Sequence, residues 1–457
     1  MSINMLHDDV LLDIFDFHVI GRPNYKKEEI EAWQTLVHVC RQWRSVVFGS
    51  PCRLNLRLYC TTRTQTPVDV WPALPLRIEG GVGNTKEFDN TIAVLERSNC
   101  VYHIDLAVYF SYWEIILPAM QRPFPELTYL RLFSTEAVTV VPDSFLGGSA
   151  PRLRDLDFVG IPFPGLPKLV LSATHLSRLY LFEIPHSGFF SPDAIVTVLS
   201  TLTSLQQLRL EFKSPRSLPD GESRHHPPLT RSILPDLRTL RFKGVGEYLE
   251  DLVALIEAPR LYFLNITLFN QILFDTPQSI QFISRTPELK AHKAANLAFM
   301  YSKAGVTLSS PNRSRYDRLE VEISCREPDW QVSSLEQVCT SCLPPLSALE
   351  DLYIYEDSKS PPDWRDNIES ALWVELFHPF STVKNLYLSE KLALRITPAL
   401  EELVGIRTME VLPILQNIFL EGLQPSGPTQ EGIVQFVAAR ELSGHPITVS
   451  LWERDAV

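Results

Sequence analysis

One apolar spacing recurs over most of this chain, and it limits the folds open to it. It is read in "FPELTYLRLF" (124–133), "APRLRDLDFV" (150–159), "ATHLSRLYLF" (173–182), "LTSLQQLRLE" (202–211), "LPDLRTLRFK" (234–243), "APRLYFLNIT" (258–267), "LSALEDLYIY" (346–355), "FSTVKNLYLS" (380–389) and "LPILQNIFLE" (412–421). Each copy runs apolar, two spacers, apolar, one spacer, apolar. The last two apolar residues share one face of a short strand, and the first enters the same core from the preceding loop. Early copies begin at Leu127, Leu153, Leu176, Leu205, Leu237 and Leu261, 23 to 32 residues apart. Weaker copies fit 100–108, 286–299 and 316–324. Between them "SPDAIVTVLSTL" (191–202), "YLEDLVALIEA" (248–258) and "TPQSIQFISRT" (276–286) carry apolar residues at helical spacing. Strand and helix alternating at this interval predict an α/β chain of stacked parallel strands with right-handed crossovers.

The spacing resembles the leucine-rich repeat, in the irregular form found in ligase substrate receptors, without the asparagine that often follows the strand. That resemblance implies an irregular solenoid over 53–457. Within it "KSPRSLPDGESRHHPPLTR" (213–231) lacks periodicity and reads as a flexible loop; His225 and His226 there read as solvated. The tail "GHPITVSLWERDAV" (444–457) alternates Ile447, Val449 and Leu451 and reads as a closing strand.

Bulk properties narrow the function classes. Forty-two Lys and Arg against 54 Asp and Glu leave a net charge of −12. That disfavours the broad positive footprint of a nucleic-acid binder, so none is expected as a partner. An acidic start, and no run of about 18 apolar residues, argue against a signal peptide or membrane span and for an intracellular protein of cytoplasm or nucleus. Seven scattered cysteines suit a reducing compartment. Cys339 and Cys342 have metal-ligand spacing but lack a second pair. No phosphate-binding glycine loop, nucleophile elbow or zinc helix occurs. No catalytic residue, metal or cofactor is expected.

Residues 1–52 differ from the array. "MLHDDVLLDIFDFHV" sets Val10, Leu11, Ile14 and Phe15 at helical spacing after an aspartate cap, and Trp33, Leu36, Val37 and Cys40 recur likewise before Trp43, Val46 and Val47. Some 45 residues with this much apolar surface cannot bury it among themselves, so a partner is expected.

At these residues the chain resembles an F-box, whose pattern is Leu-Pro-x-x-(Val/Ile)-Leu-x-x-Ile-Phe, then Trp-x-x-Leu-x-x-Val-Cys-(Arg/Lys)-x-Trp-Arg, then a proline. Leu6, Val10, Leu11, Ile14, Phe15, Trp33, Leu36, Val39, Cys40, Arg41, Trp43, Arg44 and Pro51 stand at matching positions. His7 replaces the usual proline, and the first connection is longer. With the repeats, the chain is similar to F-box proteins with leucine-rich repeats from mushroom-forming fungi. The resemblance implies a non-catalytic receptor of a Skp, cullin and F-box ubiquitin ligase. It would dock on the Skp adaptor, and through it the cullin, by Leu6, Val10, Leu11, Ile14, Phe15, Trp33, Leu36, Trp43 and Arg44. Leu11, Phe15, Leu36 and Trp43 would be the strongest anchors. The alternative is a repeat scaffold with no role in ubiquitin transfer.

An unidentified protein substrate would then lie on the repeats. If the register holds, the single spacers face one side: Arg131, Asp157, Tyr180, Arg209, Arg241, Asn265, Tyr353, Tyr387 and Phe419, flanked by Arg178, Lys243 and Tyr355. Arginines early and aromatics late predict an acidic or phosphorylated target segment.

Overall fold

The structure, a computed structural model, describes all residues except 1–5, 21–31, 64, 66–69, 135–139, 216–230, 270–275, 291, 311–317, 365–367, 405–406, 408, 423–427 and 454–457. Most of the loop expected at 213–231, with His225 and His226, lies outside the described residues. The fold is mixed α/β, with thirteen α-helices among the described residues and a large, mostly parallel β-sheet component. Two compact units are formed, Met1–Phe190 and Ser191–Val457.

The first unit opens with α1 (Asp8–Ile20), α2 (Ala32–Val37) and α3 (Arg41–Gly49). Six parallel strands follow, each beside the next: β1 (Leu58–Thr61), β2 (Leu76–Val82), β3 (Val101–Val108), β4 (Tyr129–Phe133), β5 (Asp155–Val159) and β6 (Arg178–Ile184). Helices α4 (Thr85–Leu95), α5 (Phe110–Ala119) and α6 (Leu166–Val170) lie in the crossovers. Helix α4 starts where Asn84 Oδ1 accepts from Glu87 N (3.0 Å), which caps a terminal N–H group, while Glu87 Oε2 accepts from Gly83 N (2.8 Å) just before the cap.

The second unit begins with α7 (Pro192–Leu199) and β7 (Gln207–Phe212). It continues through β8 (Ser232–Ile233), β9 (Thr239–Gly244), α8 (Gly246–Leu255), β10 (Ile256–Glu257), β11 (Phe263–Phe269) and α9 (Pro277–Arg285). Strands β12 (Ala294–Met300), β13 (Lys303–Ser309) and β14 (Arg318–Ser324) precede α10 (Pro328–Ser341) and β15 (Asp351–Glu356). Then come α11 (Ser370–Phe377), β16 (Asn385–Leu388), α12 (Glu390–Glu402), β17 (Asn417–Glu421), α13 (Pro428–Leu442) and β18 (Thr448–Trp452). Its main strand order is β7-β9-β11-β14-β13-β12-β15-β16-β17-β18, with β8 and β10 a separate small pair.

Every one of the nine copies places a strand over its last two apolar positions, and every first apolar residue, from Leu127 to Leu415, is buried. A turn sets it there. The amide of each first residue donates to the carbonyl three residues back: Leu127 to Phe124, Leu153 to Ala150, Leu176 to Ala173, and so on to Leu415 and Leu412, at 3.0–3.3 Å. Those upstream residues are buried as well, so the repeat has a fourth apolar position that the six-residue pattern omits.

One region departs from the expected parallel array. Strand β13 pairs antiparallel with both β12 and β14. Only Tyr301 and Ser302 separate β12 from β13, too few residues for a parallel crossover, which needs a dozen or more. The predicted closing strand forms as β18, parallel to β17, with Ile447 buried but Val449 and Leu451 exposed.

Candidate functional site

Three surfaces carry the candidate residues. The first is the helical start, where α1 is apolar on two sides. Leu11, Leu12 and Phe15 are buried, and the Phe15 ring meets Trp43 at 4.8 Å. Trp33 is buried too; its Nε1 donates to Arg57 O (2.8 Å), just before β1, and its ring meets Trp71 at 5.3 Å, in the connection from β1 to β2. Leu36 is buried, Leu6 and Trp43 are half-buried, and Arg44 is exposed with its Nε donating to Val37 O (3.0 Å). Of the four strongest expected anchors, Leu11, Phe15 and Leu36 therefore belong to the core of the unit. The open side of α1 carries Val10 (45% exposed), Ile14 (44%) and Phe17 (83%), at i, i+4 and i+7 on one face. Phe17 was not among the expected docking residues, although its spacing from Val10 and Ile14 is readable in the sequence.

The second surface is the open sheet face of the first unit. Cross-strand register aligns Glu79, Asp105, Arg131, Asp157 and Tyr180 in one row, and Tyr59, Arg77, His103, Tyr129, Asp155 and Arg178 in the next. The arginines expected to read an acidic target already have acids beside them. Arg131 Nε lies 3.2 Å from Asp157 Oδ2 and Nη1 lies 4.0 Å from Asp105, while Arg178 Nε donates to Asp155 Oδ1 at 2.5 Å. Glu79, Asp105 and Asp157 outnumber Arg131 in its row, so that row does not present a positive field.

Its centre is Glu79, which accepts from Tyr59 Oη (3.1 Å) and Arg77 Nε (2.7 Å), with His103 Nε2 3.2 Å away. His103 in turn stacks on Tyr129 at 4.1 Å, with ring planes 4° apart. His103 and Arg77 hold the Glu79 carboxyl at about 2, well below its ordinary 4.5. A depressed carboxylate contributes stability above its unfolded pKa and loses it as pH falls towards the folded one. Glu79→Gln is therefore expected to cost on the order of 2 kcal/mol at neutral pH. The gap from wild type should close as pH drops from 4.5 towards 2, read from urea midpoints of both proteins.

The third surface is the single-spacer face of the second unit's own strands. Arg209, Arg241, Asn265, Glu320, Thr307, Asn296, Tyr353, Tyr387, Phe419 and Ser450 stand in register across ten strands. Arg209 pairs with Glu211, the Arg241 guanidinium lies 5.1 Å over the Phe263 ring, and Lys243 Nζ lies 5.8 Å from the Phe269 ring. Asn265 Nδ2 donates to Glu320 Oε2 (2.7 Å), an acid on β14, the parallel neighbour of β11, where the weak copy at 316–324 sets it as a single spacer between Leu319 and Val321. Here again the basic residues are interleaved with acids and rings. Further along, Tyr353 stacks on Tyr387 (4.2 Å, 12°) and Tyr387 on Phe419 (4.4 Å, 8°). The flanking row links Asp351, Asn385, Asn417 and Thr448 by side-chain hydrogen bonds.

Cys339 and Cys342 sit at the C-terminal end of α10, both buried. Burial pushes the Cys339 thiol upward and the Cys342 thiol up to about 11, which keeps both protonated and poorly nucleophilic. Among the described residues no three metal-ligating side chains come together, and no helix is long and apolar enough to cross a membrane. The chain matches no protein-family model and no curated protein.

Proposed function

We propose that this chain is a non-catalytic substrate receptor of a Skp, cullin and F-box ubiquitin ligase, with an F-box at the helical start and a leucine-rich-repeat solenoid that holds the target. The observation that carries the reading is the uncovered face of α1. Val10, Ile14 and Phe17 expose aligned apolar surface in the helix whose sequence resembles the adaptor-binding element. A partner helix or groove covering that stripe removes it from water, and a few buried aliphatic and aromatic side chains dominate such interfaces. The receptor would act by proximity, raising the effective concentration of the target's lysines beside the ubiquitin-carrying enzyme. Adaptor docking rests on Val10, Ile14 and Phe17, with Leu11, Phe15, Trp33 and Leu36 holding the helix in place.

Co-purification with a Skp adaptor tests this. Val10→Glu, Ile14→Glu and Phe17→Glu together are expected to weaken adaptor capture at least ~30-fold while the melting temperature stays close to that of wild type, because these residues are exposed. Full capture by the triple variant removes the proposed docking mode.

A further inference from the structure

The stacked rings Tyr353, Tyr387 and Phe419 do not lie open to solvent. Trp452, the last residue of β18, crosses them: its ring lies 5.9 Å from Tyr353 and 5.6 Å from Tyr387, inclined at 56° and 68°. It is 93% buried, against 7% accessible, yet the other four residues of its strand, Thr448 to Leu451, are all exposed. The indole Nε1 is buried with no hydrogen-bond partner. A buried N–H donor without an acceptor opposes the burial that holds the ring. Strand β18 lies at the end of the strand order, so among the described strands its main chain pairs only with β17, in parallel from Asn417 with Thr448 to Glu421 with Trp452. Val449 and Leu451, on its other face, are exposed and do not anchor it to a core.

We propose that Tyr353, Tyr387 and Phe419 are a recognition site for an extended peptide segment carrying an aromatic side chain, and that the chain's own C-terminal strand occupies that site through Trp452. The occupant's chemistry defines the class of target. A hydroxyl residue stands where Thr448 meets Asn417, a small residue where Ser450 opposes Phe419, and an aromatic two positions further on. Such a segment would pair with the edge of β17 in place of β18, the main chain giving affinity and the aromatic giving specificity. The intact C-terminal strand therefore competes with targets, and its release opens the site. This deepens the receptor reading by naming the target's chemistry.

The test uses the full-length chain and a fluorescein-labelled synthetic peptide spanning residues 446–457. Trp452→Ala is expected to bind the peptide at least tenfold more tightly than wild type. Adding Tyr387→Ala should abolish that gain, and so should replacing the peptide's own tryptophan by alanine. Equal binding by wild type and Trp452→Ala overturns the proposal, as does a fall in melting temperature of more than about 10 °C, which marks Trp452 as core. Hydrogen exchange of the unmutated chain gives an independent reading. Amides of 448–452 should exchange at least 100-fold faster than those of β16, and equal protection would count against a releasable strand. Peptide binding is measured without any ligase component, so it can fail while adaptor capture succeeds, and the reverse.

Discussion

Phe15→Ala is expected to cost about 3–5 kcal/mol and to release α1 from the first unit. Phe15 is fully buried, and with Leu11 and Leu12 it forms the side of α1 that meets α2 and α3. Removing the ring deletes its contact with Trp43 and leaves a cavity between helices of 13, 6 and 9 residues, which have little freedom to close over it. A 13-residue helix with no packing partner is marginal in water, so the loss should appear as detachment rather than a small local adjustment. The paired charges of Arg53 with Asp13 and Asp16 are exposed and add little that would hold it. Hydrogen exchange followed by mass spectrometry checks this: amides of 8–18 should lose protection while those of β4 and β5 keep theirs. Adaptor capture would fail too, for a different reason than with the Val10, Ile14 and Phe17 variant, whose helix stays folded. A Phe15→Ala chain with wild-type protection over α1 would mean that this side of the helix is not a core face.

The contrast between those two faces marks the limit of what sequence periodicity conveys. Val10, Leu11, Leu12, Ile14, Phe15 and Phe17 give α1 apolar residues on two sides, and spacing alone does not say which side is covered by the chain itself. In the repeat array the reverse held. A strand has only two faces, so assigning leucine to one fixes the spacers on the other, and Tyr353, Tyr387 and Phe419 stand in register as the single-spacer rule requires. The same rule bears on charge. Asp105 and Asp157 are single spacers on either side of Arg131, so the neutralisation of that arginine was already readable in the sequence. The antiparallel β12 to β14 segment was harder. Ala304, Val306 and Leu308 alternate as an ordinary strand does, but a hairpin strand entered after two residues has no room for the apolar turn that precedes each repeat strand. Trp452 over the aromatic stack was beyond reach, since it depends on where the last strand ends relative to residues about 100 positions earlier.

A second large effect is expected at Arg440, which no spacing or motif in "FVAARELSG" (436–444) singles out. It is a fully buried cation on α13. Its Nη2 donates to Leu412 O (2.9 Å) and Pro413 O (3.3 Å), its Nη1 lies 2.9 Å from Met409 Sδ, and its guanidinium lies 5.8 Å from the Phe436 ring. Burial pushes its pKa down, but a guanidinium remains charged. Replacing a buried ion by an apolar residue is often harmless when both partners leave together. Here the partners are backbone carbonyls of a turn whose Leu412 adopts a left-handed conformation, φ 47°, and they stay after mutation. Leu412 O also accepts from Leu415 N, the turn bond of the last repeat copy, so Arg440 fastens α13 onto the repeat motif itself. Arg440→Ala should therefore combine a cavity with weakened carbonyl satisfaction and cost about 3–5 kcal/mol. Arg440→Met keeps most of the volume without the donors and should recover part of that loss. Arg440→Lys keeps the charge but has no fork with which to meet two carbonyls at once, and should fall short of wild type as well. Urea denaturation of the three variants checks the ranking, with hydrogen exchange at 411–416 reporting whether the turn loosens first. An alanine variant within about 1 kcal/mol of wild type would show that the carbonyls find other donors and that the buried charge is not what holds α13 to the turn.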